Sequence, residues 1–569
     1  MNNRSSLFVH VFIWVALICL APISKVMAQS IGLHYPIYDD YMRRQQLLGN
    51  LSEESSFMIR PLMPKQVFNT TGAFNFEANS EVKEKNLTKL ASFDEVKFMT
   101  LPVMIKSRYN SNLPFGINDG EMIPNKGLQL NASLGIYFEY GPLSLQLQPE
   151  ILHAANLDFT AFPLEHWGST WLQYFEWVNT ADIPERFDGG PITRLSLGQS
   201  SLRFNFKEYS LGISNENLWW GPGRRASLLM SNNAPGFLHF TFNTRKPVKT
   251  VIGSFEGQLI AGQLRSSGVD PVNSYYTYTN TPLYVPKRAD DDWRYLSGVT
   301  ISYQPKWLPG LFLGFSSVSQ MYHTDMDQFA DYLPVFNGEK GPESITKPNV
   351  DQRNQLSSGQ FRWINPNGHF EFYGEYGSNG NSRTLHDFLI NPDKNRAFTF
   401  GFTNLTSLKK KDEFFQLGME MTQTGQSVRE VIQSRNSWYT HPYVRHGYTH
   451  KGQVLGFGYG PGSSVLSMDM AWVKNFNRIG IEFEYINYNN DFYYKRFEVI
   501  KDIRRKYVDL APAIVGEWRF DKLLVSANFK YVRSLNYKWY LENDPDDYFI
   551  PGVDKDNFVG NVSFSYIID

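Results

Sequence analysis

Two tryptophans on a Gly-Pro-Gly turn, Trp219-Trp220-Gly221-Pro222-Gly223, run directly into Arg224 and Arg225, and Asn232-Asn233-Ala234-Pro235-Gly236 follows closely. Indole faces stack on the C–H face of a sugar ring, and guanidinium groups grip carboxylates through two parallel hydrogen bonds. Side-chain amides both donate to and accept from hydroxyls. This set suits a sugar or a polyanion better than an apolar ligand. Trp219, Trp220, Arg224, Arg225, Asn232 and Asn233 are therefore the candidate contacts, while Gly221, Pro222, Gly223, Pro235 and Gly236 are read as turn formers that shape the loop. The competing reading of the two indoles is that they pack the loop in place.

Other residues with chemical potential are less convincing. His441, His446 and His450 have no carboxylate cluster in the same loop, so no metal site is expected. Glu371, Glu375, Glu482 and Glu484 are the residues a glycan hydrolase would need, since two carboxyls a few ångströms apart can do acid and nucleophile work. A hydrated polar interior with salt bridges to facing arginines explains them more simply. No Ser-His-Asp or Gly-x-Ser-x-Gly pattern stands out, and neither a catalytic residue nor a cofactor is expected.

The elements that must carry the loop are strands. From about residue 95 onward the dominant signal is period two. Leu128, Leu130, Ala132, Leu134, Ile136 and Phe138 alternate with Gln129, Asn131, Ser133, Gly135 and Tyr137; Phe370 and Phe372 alternate with Glu371 and Tyr373; Ile479, Ile481, Phe483 and Tyr485 alternate with Gly480, Glu482 and Glu484. Such runs are long enough to cross a bilayer when tilted, about nine residues or more. Short turns alternate with long loops, as an outer-membrane barrel requires. Short turns are expected at Gly141-Pro142, Gln199 to Ser201, Arg245 to Lys249, Pro305 to Gly310, Pro366 to Gly368, Thr406 to Asp412, Asn475 to Asn477 and Arg519 to Lys522. They imply an all-β transmembrane barrel of about 18 antiparallel strands. The phase change from Leu202, Phe204 and Phe206 to Tyr209, Leu211 and Ile213 predicts a bulge at Lys207-Glu208. By this count the tryptophan loop lies outside the cell.

The ends and the composition fit. Arg4, the apolar run Leu7 to Leu20 and Val26-Met27-Ala28 read as an export signal over residues 1–28. Cys19, the one cysteine in 569 residues, lies inside it, so disulfides and thiolate chemistry are excluded from the mature chain. Residues 29–95 are expected to form a small periplasmic helical segment, with a helix over Asp39 to Leu48 stopped by Gly49. The barrel is expected over 96–569, with 152–190 folding inward as a plug. A net charge of −1 argues against nucleic acid as a partner. An aromatic content of 15% fits interfacial girdles, a saccharide surface, or both.

Taken together, Glu216 to Gly223, Ser231 to Gly236, Tyr439-Thr440-His441, His446 to His450, Gly460-Pro461-Gly462 and the early Leu47-Leu48-Gly49 and Arg60-Pro61 resemble the capsule assembly Wzi family in its Bacteroidetes-type form. The resemblance implies an 18-stranded outer-membrane barrel with a helical N-terminal part, acting as a lectin that attaches surface polysaccharide without covalent chemistry. The expected partners are capsular or other surface polysaccharide, outer-membrane lipid, and the barrel assembly machinery during insertion. The alternatives are an oligosaccharide porin and, more remotely, the hydrolase.

Overall fold

The period-two runs form antiparallel strands that close into one barrel, with Val96–Asn110 pairing to Lys555–Tyr566 across the seam. The computed structural model describes residues 32–63, 96–288, 292–327, 329–332, 352–380, 395–432, 437–541 and 552–568. The expected export signal, residues 1–28, and the 64–95 part of the expected N-terminal segment lie outside them. Three strands consist of two segments each: Leu143–Leu147 with Glu150–Ala154, Ile192–Ser196 with Ser201–Phe206, and His239–Thr244 with Val248–Lys249. Among the described residues the barrel has 18 strands.

One end of the barrel carries tight turns. Gly141, Asn475 and Asp521 take positive φ of 55°, 53° and 51° there, the conformation that two-residue hairpin turns demand and that these residue types adopt most readily. The other end carries the long loops. Two expected turns move. The one expected at Arg245 to Lys249 falls at residues 250–252, because Val248–Lys249 continues the strand and pairs with Ser254 and Phe255. Ser201–Phe206 and Tyr209–Ser214 pair directly with each other, Phe206 opposite Tyr209, so Lys207-Glu208 is a hairpin turn and not a bulge. The expected turn at Gln199 to Ser201 is a break within one strand. With Lys207 rather than glycine or asparagine at φ 47°, the reversal shows in the sequence only as a slipped phase.

The two faces of the wall are opposite in character. Leu128, Leu130, Phe240, Phe242, Ile481 and Phe483 are exposed on the outside, while their neighbours Gln129, Asn131, Thr241, Asn243, Glu482 and Glu484 are buried inside. An apolar exterior around a polar interior is the arrangement of a barrel standing in lipid.

The interior is filled by chain. Helix α1 (Pro36–Leu47) starts on a proline and ends in a glycine-dependent cap. Asn50 N–H donates to the Gln45 carbonyl at 2.9 Å and Gly49 N–H to that of Gln46 at 3.1 Å, with Gly49 at φ 74°. Tyr41 stacks on Phe476 in a tight turn at 3.7 Å, and Tyr35 Oη donates to the Pro102 carbonyl. Residues 32–63 therefore close the tight-turn end from within and do not form a separate helical body. Helix α2 (Gly168–Val178) lies in the 152–190 segment, at the long-loop end. There it packs against other outward loops, so the segment is a cover over the mouth and not the inward plug expected.

Because Ile481 sits mid-strand on the outer face, Ile481→Arg should destabilise the barrel by about 2–4 kcal/mol in lipid vesicles. Urea unfolding of folded protein in vesicles measures it. A change within about 0.5 kcal/mol, normal for a surface in water, would contradict the membrane-facing assignment.

Candidate functional site

Alternation places Glu371, Glu375, Glu420, Asp469 and Glu482 on the inner wall, all buried. Wall arginines answer part of this charge: Arg362 Nε donates to Glu371 at 2.9 Å and Arg478 Nη2 to Glu482 at 3.1 Å. The interior chain answers more of it. Arg43 of α1 donates to the same Glu371 at 2.9 Å. The backbone N–H groups of Arg224 and Arg225 donate to Glu420 at 2.7 and 3.2 Å. Arg225 Nη2 lies 2.7 Å from Glu482, and Arg224 Nη2 lies 3.1 Å from Asp40 of α1. Against burial, which raises it, Arg224 and Arg44 hold the Asp40 carboxyl well below the usual carboxylate range. Glu375 accepts from Leu228 N–H at 3.0 Å.

The tryptophan loop is thus an inner part of the barrel. Trp219–Trp220 forms a two-residue strand antiparallel to Ile59–Arg60. The Arg60 guanidinium lies 4.4 Å from the Trp219 ring centre and donates to the Gly223 carbonyl at 3.0 Å. Trp220 is fully buried, and its Nε1 donates to Gln258 on the wall at 2.8 Å. Asn232 Nδ2 donates to the Asn118 carbonyl and Asn233 Nδ2 to that of Val454, both at 2.9 Å. A Cβ on Gly223 or Gly236 would stand 1.9 Å from the carbonyl oxygen of Ala226 or Asn215, so these two positions require glycine. The structure brings the six contact candidates together, but inside the lumen and not on the exterior. Trp219, Trp220, Asn232 and Asn233 are 5% exposed or less. The connection starts and ends at the long-loop end and dips inward because the wall carboxylates need its arginines and N–H groups.

A second loop, 437–463, closes over the first. Ser231 N–H donates to the Leu455 carbonyl at 2.7 Å, and Tyr439 Oη to that of Leu228 at 2.8 Å. The three histidines are used separately here. His441 Nδ1 accepts from Val444 N–H at 2.9 Å, His450 Nδ1 accepts from Arg265 N–H at 3.1 Å, and His446 Nδ1 lies 2.8 Å from Tyr322 Oη. Burial pushes His441 down to about 4 and, with nearby arginines, His446 to about 2.

Above this lies an aromatic cap. Trp171, Tyr174 and Phe175 of α2 pack with Phe492 and Phe497 from a second outward loop and Tyr537 and Trp539 from a third. Trp167, at the start of α2, is 65% exposed, with the Arg504 guanidinium 5.4 Å from its ring. Between cap, wall and the 437–463 loop is a cavity of about 250 Å³, lined by Trp177, Tyr488, Tyr507, Asp509 and Trp539 among others. Trp177 lies in the 152–190 segment that the sequence singled out. The others were missed, although the clustering of Tyr488, Phe492, Tyr493 and Tyr494, and of Tyr537, Trp539 and Tyr540, in two long loops was a usable signal.

A closed barrel with an apolar belt, a chain-filled lumen and aromatic outward loops is an outer-membrane protein whose accessible chemistry is on its loop face. The chain belongs to the capsule assembly protein Wzi family, whose profile matches residues 113–537. In fold it is similar to Wzi of Escherichia coli, described as an outer membrane protein involved in group 1 capsule assembly and a carbohydrate-binding β-barrel. That match has 15% identity and a TM-score of 0.51, covering 82% of this chain and 85% of that one. Weaker matches include OccAB2 of Acinetobacter baumannii, with 11% identity, TM-score 0.40 and 83% and 98% coverage. OpdK of Pseudomonas aeruginosa, solved with vanillate, matches with 10% identity, TM-score 0.36 and 82% and 97% coverage. No curated protein sequence matches the chain.

Glu371→Gln removes the charge shared by Arg43 and Arg362, a loss of about 3–5 kcal/mol for a buried pair. It should leave the barrel folded but expose α1 to protease added from the tight-turn side; unchanged protection would refute this anchoring role. Acid should loosen the 437–463 loop. The folded pKa values of His441 and His446 lie below the ordinary 6.5, so their stabilising contribution is complete above about pH 6.5 and is lost as pH falls toward 4. Hydrogen exchange in this loop should rise across that window, and a flat profile would contradict it.

Proposed function

We propose that the protein holds surface polysaccharide on the cell through its outward loop face, by binding and without covalent chemistry. The observation that carries this reading is the filled lumen beneath an aromatic face. α1 and the two inward loops occupy the space through which a porin would conduct, and Trp167 stands exposed above them. The description of the Escherichia coli relative as a carbohydrate-binding barrel in capsule assembly supports the same conclusion. A hydrolase reading has little support, since Glu371 is bound by Arg43 and Arg362 and Glu375 by the Leu228 N–H. The Trp219 to Gly236 loop serves this function as the inner support of the binding face, with its rings and arginines committed to the barrel. Lipid contacts the outer belt, and insertion falls to the barrel assembly machinery.

A polymer engages many copies weakly, so a small loss per contact is multiplied along the chain. In a deletion strain complemented with Trp167→Ala, the share of polysaccharide released into the medium should rise several-fold. A contact of about 1 kcal/mol corresponds to about fivefold in affinity. Retention equal to wild type at equal surface expression would count against Trp167. A saccharide-blockable conductance of the purified protein in planar bilayers would favour the porin and defeat the proposal.

A further inference from the structure

The cavity under the cap contains polar atoms with nothing to bond. Trp177 Nε1, Trp539 Nε1 and Asp509 Oδ1 are buried without a hydrogen-bond partner, and all three residues line the cavity. Asp509 is 2% exposed. Its other oxygen accepts from Tyr488 Oη at 2.9 Å, and the Ser534 hydroxyl stands beside the carboxylate. The Ser534 hydroxyl, also on the lining, is likewise buried without a partner, whereas Asn233, Asn557 and Lys538 are engaged. Asn233 bonds Val454, Asn557 donates to Leu113, and Lys538, the cation among the lining residues, is paired with Glu185 at 2.6 Å. Buried donors and acceptors without partners are uncommon and costly, so a group of them in one cavity marks a place for something that supplies their partners.

We infer that this cavity binds one uncharged sugar unit of the polysaccharide, with hydroxyl oxygens accepting from Trp177 and Trp539 and a hydroxyl hydrogen donated to Asp509; the inference rests on the glycan-binding reading above. A hydroxyl accepts and donates at once, which this trio requires. A carboxylate, sulfate or phosphate only accepts, and it would place its charge against Asp509 where Lys538 is already neutralised by Glu185. The rings of Tyr174, Trp177, Tyr507 and Trp539 offer apolar walls for the C–H faces of a pyranose. At about 250 Å³ the space falls below the ~300–1,000 Å³ of pockets for drug-sized ligands, which fits a single unit and not a stretch of chain.

The test uses the full-length protein in detergent and the surface polysaccharide of its own host. That polysaccharide is used intact and as oligosaccharides from partial acid hydrolysis, separated by anion exchange into neutral and acidic pools. Calorimetric titration should show binding of the neutral pool, weakened roughly three- to tenfold by Trp177→Phe or Trp539→Phe, each of which removes one N–H donor. Asp509→Asn should shift the ratio of acidic to neutral affinity upward by about fivefold or more, as expected when a like-charge repulsion is removed; a purely structural defect would weaken both pools alike. Heat-modifiable mobility on gels confirms that each variant is folded, and any one of the three variants suffices if another fails to fold. Equal or tighter binding of the acidic pool, with the same sensitivity to the tryptophan changes, overturns the sugar class. Neutral binding untouched by all three variants, or intact polysaccharide binding with no neutral-pool binding, overturns the site and leaves the proposed function standing. Failure of intact polysaccharide to bind at all defeats both.

Discussion

A closed barrel in lipid cannot leave its inner carboxylates unanswered. The alternation that gives this wall its apolar exterior also points Glu371, Glu375, Glu420, Asp469 and Glu482 into a confined interior, where an unpaired charge costs several kcal/mol. Wall cations such as Arg362 and Arg478 meet part of that demand. Arg43, Arg224, Arg225 and the N–H of Leu228 meet more of it, from segments that would otherwise have no reason to enter the lumen. Once those charges are matched, the rest of the interior follows. The Trp219–Trp220 strand pairs with Ile59–Arg60 because α1 and the loop are held against the same carboxylates. Arg60 then covers the Trp219 ring, and Gln258 takes the Trp220 N–H.

This charge matching also explains what was legible in the sequence. A strand with two unlike faces announces itself over a few residues, so the barrel and its alternation of short turns and long loops were readable from local pattern, while the strand number drew also on the family resemblance. The end of α1 was readable for the same reason, since Gly49 is a local signal. Lys207-Glu208 was not, because a hairpin turn without glycine or asparagine differs from a bulge only in which residues pair across it. The direction of the tryptophan loop was not legible either. Whether Arg224 turns outward to a ligand or inward to Asp40 depends on a partner 184 positions away, and no window of sequence contains both. The residue types that suggested sugar binding, rings beside guanidinium groups and amides, are the same types that join a loop to a polar lumen.

The interior is layered by chemistry. Toward the tight turns the contacts are mainly ionic, with the guanidinium groups of Arg43, Arg60, Arg224 and Arg478 placed against carboxylates or carbonyls. Toward the loops they are aromatic, with Trp171 edge-on to Tyr174 and Phe492 tilted against Trp539. The 437–463 loop belongs to both layers. Its Tyr439 Oη holds the Leu228 carbonyl of the tryptophan loop, while its Gln453, Val454 and Gly458 to Pro461 line the cavity above.

The floor of the cavity is therefore the top of the chain that fills the lumen, and this bears on how a ligand would bind. A pocket built from outward loops alone would have to order them on binding, at a cost of about 0.5–1.5 kcal/mol for each side chain immobilised. Here the floor is fixed through Ser231, Leu228 and Asn233 to segments that the wall carboxylates already anchor. On the proposed reading, the buried charge network acts on binding by pre-ordering the surface above it. On the same proposal, Trp219 and Trp220 contribute at that level, through the rigidity of the support beneath the loop face.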